Sequence, residues 1–235
     1  MKIIKNEKLI QRNGKIGQYV SLGALAVLGV GMYISFSKPE YFTYAIVCLI
    51  VGFIMTQVGM YMGSRWGRSP RPDEILDSGL KGLHSEFNMY HYASPVSHLL
   101  VGPSGVWVLL PYHQRGKVVY EKNRWKLKGG GFLQGYMRIF GQEGLGRPDL
   151  DAENEVQTLK KFLAKKMDES NIPEINPILV FTTEDVELDA GESPIAAVKL
   201  KQLKEFMRQG GKNRVLSGGQ IAELNELFPK DSTDG

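Results

Sequence analysis

The sequence has almost no cysteine, and it lacks the best-known motifs of nucleotide and ester hydrolysis. Cys48 is the single cysteine of the chain, so an intrachain disulfide is excluded. The 235 residues contain neither a GxxxxGK[ST] phosphate-binding loop nor a GxSxG nucleophile motif. The sequence therefore does not favour a P-loop nucleotide hydrolase, an α/β-hydrolase or a disulfide-rich secreted domain.

Charge is absent from two long apolar runs near the N-terminus, Ile16–Ser37 and Tyr41–Ser64. A helix needs about 20 apolar residues to cross the hydrocarbon core of a bilayer, and each run is long enough. Only Lys38-Pro39-Glu40 separates them. We therefore predict a transmembrane hairpin with helices at 17–37 and 41–63.

Small residues inside these runs are spaced for close helix packing. Gly59 with Gly63, and Gly31 with Ser35, follow the small-xxx-small pattern. Such pairs are also common in membrane helices without a packing role. Both interpretations stay open at this point.

Basic residues flank the predicted hairpin on its outer sides and are scarce at the link, which has only Lys38. The flanking residues are Lys2, Lys5, Lys8, Arg12 and Lys15 before the hairpin and Arg65, Arg68 and Arg71 after it. Segments rich in Lys and Arg stay on the cytoplasmic side. We expect a multi-pass protein of the cell (plasma) membrane with both termini cytoplasmic. The competing interpretation is a signal peptide cleaved near Ser35-Phe36-Ser37.

The net charge of +4 arises in the N-terminal flank, because residues 64–235 contain 23 basic and 23 acidic residues. The basic pI therefore does not indicate a nucleic-acid-binding domain. We divide the chain into a basic flank at 1–16, the hairpin at 17–63, a linker at 64–72, a domain at 73–209, and a C-terminal helix with a polar tail at 210–235.

Two apolar strands organise the predicted domain, Val96–Gly102 and Gly105–Leu110, with a tight turn between them. Both faces of the second strand are apolar, which is typical of a central strand covered on both sides. A third strand is predicted at Lys117–Glu121 and a short fourth at Trp125–Lys128. The other predicted elements are helices at Asp73–Leu83, Asp151–Lys166, Leu200–Arg208 and Ser217–Phe228, and strands at Pro177–Thr182 and Ile195–Val198.

This arrangement resembles the nuclease-related domain (NERD) family, a branch of the PD-(D/E)xK nuclease-like fold. The segment Leu99–Val108 matches the family's apolar strand, turn and strand, and Gly116 matches a glycine that follows the motif. The resemblance covers about residues 73–209. It implies an α/β (α+β) domain with an αβββαβ core, placed after the transmembrane hairpin.

The resemblance places the family's catalytic positions on three residues that lack its chemistry. Ser97 stands at the family's Asp, Leu110 at its Glu and Tyr112 at its Lys. A nuclease of this kind needs carboxylates to hold a hard divalent cation, and a lysine on the same strand face. We therefore expect a non-catalytic binding or scaffold module, a pseudoenzyme without a metal or cofactor.

The alternative is a divergent metal-dependent nuclease acting on DNA or RNA near the membrane, with Mg²⁺ or Mn²⁺ held by replacement ligands. His98 and Glu121 are the main candidates for such ligands, and His113 and Glu74 are further ones. A membrane-protein assembly factor is a third interpretation, which the sequence does not separate from the binding module.

Six basic residues follow the second strand, and only Glu121 opposes them in that interval. They are Arg115, Lys117, Lys122, Arg124, Lys126 and Lys128. This basic ribbon indicates either a surface for anionic lipid headgroups or nucleic acid, or a charged edge that prevents strand pairing. The glycine-rich segment 129–146 contains an apolar cluster that is expected to bind a protein partner, touch the membrane or pack on the domain.

Overall fold

The computed structural model describes residues 1–128, 144–212 and 214–230. Its internal contacts divide the chain into two compact units. The hairpin unit is Glu7–Glu74. The sheet unit combines Met1–Asn6 with Ile75–Gly235.

Two long helices form the hairpin unit. Helix α1 is Glu7–Ser37 and helix α2 is Phe42–Met62, joined through a single 3₁₀ turn at Pro39–Tyr41. Within the described residues, these two helices are long and apolar enough to cross a membrane, by length and composition alone. Helix α1 begins ten residues before the predicted 17–37 span, because the basic segment ahead of the apolar run is also helical.

Small residues line the interface between α1 and α2 at a spacing of seven. Gly17, Ala24 and Gly31 are buried on α1, and Ala45, Gly52 and Gly59 are buried on α2. A Cβ added at Gly31 would lie 2.8 Å from the Cβ of Cys48, and one added at Gly17 would lie 2.9 Å from that of Met62. The helices therefore approach closely because these positions carry little or no side chain.

The predicted small-xxx-small pairs do not account for this packing. Gly59 faces Ser21, but a Cβ at Gly63 would meet nothing within 4 Å. Ser35 is only half-buried, whereas Gly31 is buried. In helices that pack side by side with a left-handed crossing, residues spaced by seven stay at the contact between them. The small residues of α1 and α2 follow this spacing and not a spacing of four.

Nine strands of the described residues form two sheets in the sheet unit. The larger sheet contains β1 (Lys2–Lys5), β2 (Asn88–His91), β3 (His98–Gly102), β4 (Gly105–Tyr112), β7 (Ile175–Phe181) and β9 (Ala196–Lys199), in the order β1-β2-β3-β4-β7-β9. The smaller sheet contains β5 (Gly116–Glu121), β6 (Arg124–Lys128) and β8 (Val186–Asp189), in the order β6-β5-β8.

The larger sheet is mixed. Strands β2, β3 and β4 are antiparallel neighbours, whereas β7 is parallel to β4 and β9 is parallel to β7. At the other edge β1 runs parallel to β2. The fold is therefore mixed α/β, as expected at this coarse level.

Helices cover both faces of the larger sheet. Helix α3 (Pro72–Leu80) and helix α5 (Leu200–Lys212) pack on one face, and helix α4 (Pro148–Leu163) and helix α6 (Gly218–Glu226) pack on the other. Strand β4 contributes Val106 and Val108 to the core beneath α4, and Leu109 to the core beneath α3. The prediction of a central strand covered on both sides is confirmed.

The third strand of the antiparallel set differs from the prediction. Strand β5, predicted as the third strand, belongs to the smaller sheet, and β2 takes the third place beside β3. The sequence of β2, Asn-Met-Tyr-His, has too little apolar pattern to predict a strand. It becomes a strand because it pairs with β3 on one side and β1 on the other.

Both ends of the sheet unit also differ from the predicted boundaries. Residues 2–5 form β1 and are not a free basic flank, because the buried side chain of Ile4 joins the core. A boundary at residue 209 would cut α5, which continues to Lys212. Helix α6 buries Ile221 and Leu224 in the same core, so the predicted C-terminal segment 210–235 contributes to the fold. This helix begins with a capping box formed by Ser217 and Gln220.

We expect Gly31→Ala to destabilise the hairpin, because its new Cβ would overlap that of Cys48. Overpacking of this kind costs about 1–3 kcal/mol. The matched control is Gly29→Ala on the same helix, where an added Cβ meets nothing within 4 Å. Thermal unfolding of the full-length chain in detergent, followed by circular dichroism, compares the two. Equal midpoints for the two variants would contradict the interface described here.

Candidate functional site

The three positions identified by the family resemblance lie together on the α4 face of the larger sheet. Leu99 of β3 is paired with Val108 of β4. If this antiparallel register is extended by two residues, Ser97 lies opposite Leu110. Leu110 belongs to the buried core on this face, and Tyr112 packs against that core. Ser97 and Tyr112 both hydrogen-bond to helix α4, so they lie on the face of the sheet that contains Leu110.

Strand β4 continues through Pro111 to Tyr112, two residues beyond its predicted end at Leu110. Its pairing with β3 is complete at Val108, so beyond this point only β7 pairs with it. Pro111 aligns with Val180 of β7, and the backbone N–H of Thr182 donates to the carbonyl of Tyr112 at 2.9 Å. Proline lacks the N–H that a strand residue would donate to its neighbour. It is tolerated here because β3 no longer pairs with β4 at this position, so no ladder hydrogen bond is lost.

Ser97 is held by a carboxylate of α4. Its backbone N–H and its hydroxyl donate to the two carboxylate oxygens of Glu155, at 3.3 and 3.4 Å. Ser97 is thus a donor to an acidic group, whereas a metal-binding Asp at the same place would be an acceptor or ligand.

Tyr112 makes the equivalent contact one turn earlier on α4. Its hydroxyl donates to Oδ2 of Asp151 at 2.9 Å, and its ring stacks on Phe181 with centroids 5.7 Å apart. Burial, and then the negative charge of Asp151, raise the pKa of the Tyr112 phenol. Asp151 and Glu155 are four residues apart and so lie on one face of the helix. Neutral hydroxyls therefore satisfy both carboxylates.

His98 points to the opposite face of the sheet and belongs to a buried polar chain. Its Nδ1 lies 2.8 Å from Nδ1 of His91, and Nε2 of His91 lies 3.0 Å from Oδ1 of Asp77. Oδ2 of Asp77 lies 2.6 Å from Nζ of Lys5. The two histidines are 0% and 2% exposed. This clasp, defined as Lys5, Asp77, His91 and His98, joins β1, α3, β2 and β3.

The Asp77 carboxylate is an acceptor, so His91 donates to it through Nε2–H. The contact between the two Nδ1 atoms of His91 and His98 has one ring as donor and the other as acceptor, according to their tautomers. Burial alone would raise the pKa of Asp77, but the hydrogen bonds and charges of His91 and Lys5 lower it below its usual range. The clasp is a set of satisfied structural contacts, which leaves His98 committed to His91.

Glu121 lies in the smaller sheet, away from the strands that carry Ser97 and His98. It is directly opposite Arg124 and forms an ion pair with Lys128. The other predicted ligands are also engaged. His113 Nδ1 lies 2.6 Å from the Thr182 hydroxyl, and Glu74 accepts from Ser69 and Arg71. No group of three or more His, Cys, Asp or Glu residues among the described residues is arranged to hold a metal ion.

The basic ribbon lies largely on one face of the smaller sheet, where acidic residues interrupt it. Lys117 and Lys128 are directly opposite, and Lys126 faces Val119. Strand β8 brings Glu187 and Asp189 alongside Lys117 and Val119. Lys117 pairs with Asp189 at 3.3 Å. The remaining ribbon residues, Arg115 and Lys122, lie in connections outside the strands. Acidic residues distant in sequence therefore neutralise part of the ribbon.

The predicted partner-binding segment 129–146 lies outside the described residues except for its last three positions. Among these, Leu145 is buried in the core on the α4 face.

The sequence analysis did not identify Glu155 or Asp151 as partners of Ser97 and Tyr112, nor His91 as the partner of His98. The sequence feature that could have indicated Glu155 is its spacing of four from Asp151, which places both carboxylates on one face of an amphipathic helix. Asp77 and Lys5 gave no signal, because their pairing depends on the unpredicted strands β1 and β2.

Comparisons of the chain with protein-family models, curated proteins and solved structures found no match. Function is therefore inferred from the residues of the chain itself.

We expect Asp77→Asn to destabilise the full-length chain in a pH-dependent way. The folded-state pKa of Asp77 is lowered, so its contribution is present at neutral pH and is lost as pH falls below the unfolded value of about 4. Hydrogen bonds to a charged group contribute about 1.5–3 kcal/mol. Urea unfolding in detergent between pH 7 and pH 3 should give a difference between parent and variant that shrinks with acid.

The control for this experiment is Glu184→Gln, which removes a carboxylate from an exposed ion pair with Lys201. Little change is expected there, since exposed pairs are screened by water and salt. A difference between parent and Asp77→Asn that stays constant across the pH range would contradict the role given to the ionised carboxylate.

Proposed function

We propose that this protein is a membrane-anchored domain facing the cytoplasm, which binds or scaffolds a partner and does not hydrolyse nucleic acid. In this proposal α1 and α2 form the membrane hairpin, and the sheet unit is a nuclease-like domain of the kind found in the nuclease-related domain family.

The distribution of side chains in the hairpin supports the anchor. Its helices bury glycine and alanine against each other and expose large apolar side chains, including Leu25 at 67% and Phe36 at 81%. A hairpin built for water would bury those large side chains and expose polar ones. Lipid removes the cost of exposing them, and it leaves close packing of small residues as the force that joins the helices.

The pairing of β1 with β2 supports a two-pass topology. Strand β1 precedes the hairpin in the chain, and β2 follows it. Both strands lie in one sheet, so the chain must leave and return on the same side of the bilayer. The excess of Lys and Arg in both outer flanks assigns that side to the cytoplasm.

The order of elements in the sheet unit supports the nuclease-like core. If β5 and β6 of the smaller sheet, which lie between β4 and α4, are set aside, the order α3-β2-β3-β4-α4-β7 is a helix, three antiparallel strands, a second helix and a strand parallel to β4. This is the αβββαβ order implied by the resemblance, with β2 in the place first given to β5.

The non-catalytic proposal rests on the side-chain chemistry of Ser97, Leu110 and Tyr112. They share a face, as the family's catalytic residues do, but they offer a hydroxyl, an aliphatic group and a phenol. Mg²⁺ and Mn²⁺ prefer carboxylate oxygens, and these side chains do not fit such an ion. The nearby carboxylates of Glu155 and Asp151 already accept hydrogen bonds from Ser97 and Tyr112.

The divergent-nuclease alternative requires His98 and Glu121 to act at one metal. The first is paired with His91 on the α3 face of the larger sheet, and the second is paired with Lys128 in the smaller sheet. No observation favours this alternative over the binding module.

We expect the full-length chain to cleave neither single-stranded nor double-stranded DNA or RNA in the presence of Mg²⁺ or Mn²⁺. Gel assays with labelled substrates measure this directly. Metal-dependent cleavage that is lost in Glu155→Gln but kept in Glu153→Gln, its exposed neighbour on α4, would overturn the proposal. Cleavage kept in both variants and found equally in mock-purified material would be assigned to a contaminating nuclease.

We expect a reporter inserted after Pro39 to lie outside the cell and reporters at the two termini to lie inside. The physical reason is the charge excess of both outer flanks and the shared sheet of β1 and β2. Paired alkaline phosphatase and green fluorescent protein fusions in a bacterial host give opposite signals on the two sides. A terminus found outside would contradict the topology.

A further inference from the structure

The two buried histidines of the clasp lie where β1 joins the larger sheet. His91 and His98 are directly opposite each other at one end of the β2–β3 ladder. The backbone N–H of Asn6, which follows β1, donates to the carbonyl of His91 at 3.0 Å. Lys5 reaches the same place from β1 through Asp77, whose Oδ1 lies 3.0 Å from Nε2 of His91. The contacts that hold this end of β1 therefore meet at His91.

The contact between the two rings accommodates one added proton but not two. The Nδ1 atoms of His91 and His98 are 2.8 Å apart, and the ring centres are 5.0 Å apart. When both rings are neutral, or when one of them is protonated, one Nδ1 carries a hydrogen and the other accepts it. When both rings are protonated, both Nδ1 atoms carry a hydrogen and neither accepts. The contact is then lost, and two positive charges repel each other away from water.

Two charged side chains of the clasp face the histidine pair, and they balance each other. Asp77 approaches from α3 and Lys5 from β1, with Oδ2 and Nζ 2.6 Å apart. Burial opposes ionisation of Asp77, but its contacts with His91 and Lys5 outweigh this effect and lower its pKa, so the carboxylate stays ionised in mild acid. One turn earlier on α3, Asp73 pairs with Arg71 at 3.0 Å. Each proton added to the histidines is therefore a charge that the clasp itself does not balance.

Other described neighbours of the pair are an aromatic ring and apolar side chains. The ring of Tyr92 lies 5.0 Å from the ring of His98, measured between their centres. Helix α3, strand β4 and helix α5 contribute apolar side chains to the core on this face, among them Leu76, Leu109 and Leu203. Histidine is the residue type in this cluster that ordinarily changes its charge between pH 5 and pH 7.

We propose that this histidine pair makes the attachment of β1 to the sheet sensitive to acid. The clasp is closed at neutral pH, and it opens as pH falls below about 6.5, where an unperturbed histidine binds a proton. Opening separates the rings and lets each of them bind a proton, whereas the closed contact holds at most one. The open state therefore binds at least one proton more, so the closed state is favoured above this pH and loses about tenfold in population for each pH unit below it.

Strand β1 is the element that opening releases. It has four residues and lies at the edge of the larger sheet, where it pairs with β2. Strands β2 and β3 are each paired on both sides. Short edge elements open at a lower free energy than the core of a sheet. This inference goes beyond the proposed function, because it concerns the sheet unit alone and requires neither a membrane nor a partner.

The test measures hydrogen exchange of the full-length chain in a neutral detergent between pH 7 and pH 5. The hydrogen bonds of the β1–β2 ladder include the amides of Ile4 and Met89, which report the attachment of β1. The amides of β7, which lies between β4 and β9, report the rest of the larger sheet. Each measured rate is divided into the intrinsic rate of the same amide at that pH, which gives a protection factor.

The test variant is His98→Asn, and the matched control is His84→Asn. The amide group of an asparagine takes the place of Nδ1 and forms a hydrogen bond with the His91 ring, but it binds no proton. His84 is exposed and lies outside the clasp. The same substitution therefore removes a titrating ring from the clasp in one chain and from the surface in the other.

In the parent chain, protection of Ile4 and Met89 should fall by about tenfold per pH unit in acid, whereas protection in β7 is kept. His84→Asn should behave like the parent. His98→Asn should keep its β1 protection at pH 5, because a single protonated ring fits the closed contact. Constant protection of Ile4 and Met89 in the parent would overturn the proposal, as would an equal loss in β7 or the same acid response in His98→Asn.

A second measurement decides the matter if His98→Asn has no β1 protection even at pH 7. Nitrogen-15 NMR of the parent chain with labelled histidines reports the protonation of each ring. The proposal requires the rings of His91 and His98 to be protonated together over the pH range in which Ile4 and Met89 lose protection. A ring of the pair that stays neutral while that protection is lost would overturn the proposal.

Discussion

The pairing of β1 with β2 is the constraint on which the rest of the structure depends. Four residues at the N-terminus run parallel to a strand that follows the whole hairpin, with Ile3 beside Met89 and Ile4 beside Tyr90. The side chain of Ile4 is buried in the core, and Lys5 reaches Asp77 of α3. The hairpin is therefore inserted between two parts of one folded unit, and its two ends are tied to the same sheet. The clasp reinforces that tie because the two histidines are buried, Asp77 is half-buried, and the three share hydrogen bonds. Removing Asp77 would take away the hydrogen-bond partner of the buried Nε2 of His91.

On the α4 face, hydroxyl groups of the sheet donate to carboxylates of the helix. Glu155 is half-buried, and a half-buried charge without donors is unfavourable. Asp151 is exposed, and it also accepts from a hydroxyl. Ser97 donates to Glu155 and Tyr112 donates to Asp151, while Leu110 fills the position between them as part of the core. These contacts are mutually compatible, which is the physical basis for proposing that the face is structural.

Elements with a clear local pattern of residues could be predicted from the sequence. Elements that form through contacts between distant residues could not. Strands β3 and β4 have continuous apolar runs and a Gly-rich turn, so their central position was predictable. Strands β1, β2 and β8 are each four residues long and carry polar side chains, and they exist through pairing with neighbours. The hairpin was predictable from length and missing charge, but its interface was not, because spacings of four and seven both occur in the glycine pattern. Similarly, Ser97 and Tyr112 were identified from the sequence, whereas Glu155 and Asp77 required the folded chain to place them beside Ser97 and His91.

The measurement that tests this account most directly is hydrogen exchange at the backbone amide of Ile4 in the full-length chain. The amide belongs to the β1–β2 ladder and lies before α1, so its protection reports only the strand pairing. We predict that the amides of Ile4 and Met89, which face each other's strands in the β1–β2 ladder, exchange slowly, and that deleting residues 2–5 makes Met89 exchange faster. Exchange of Ile4 at the rate of an unstructured tail, with Met89 unaffected by the deletion, would contradict the claim that one sheet holds both ends of the hairpin.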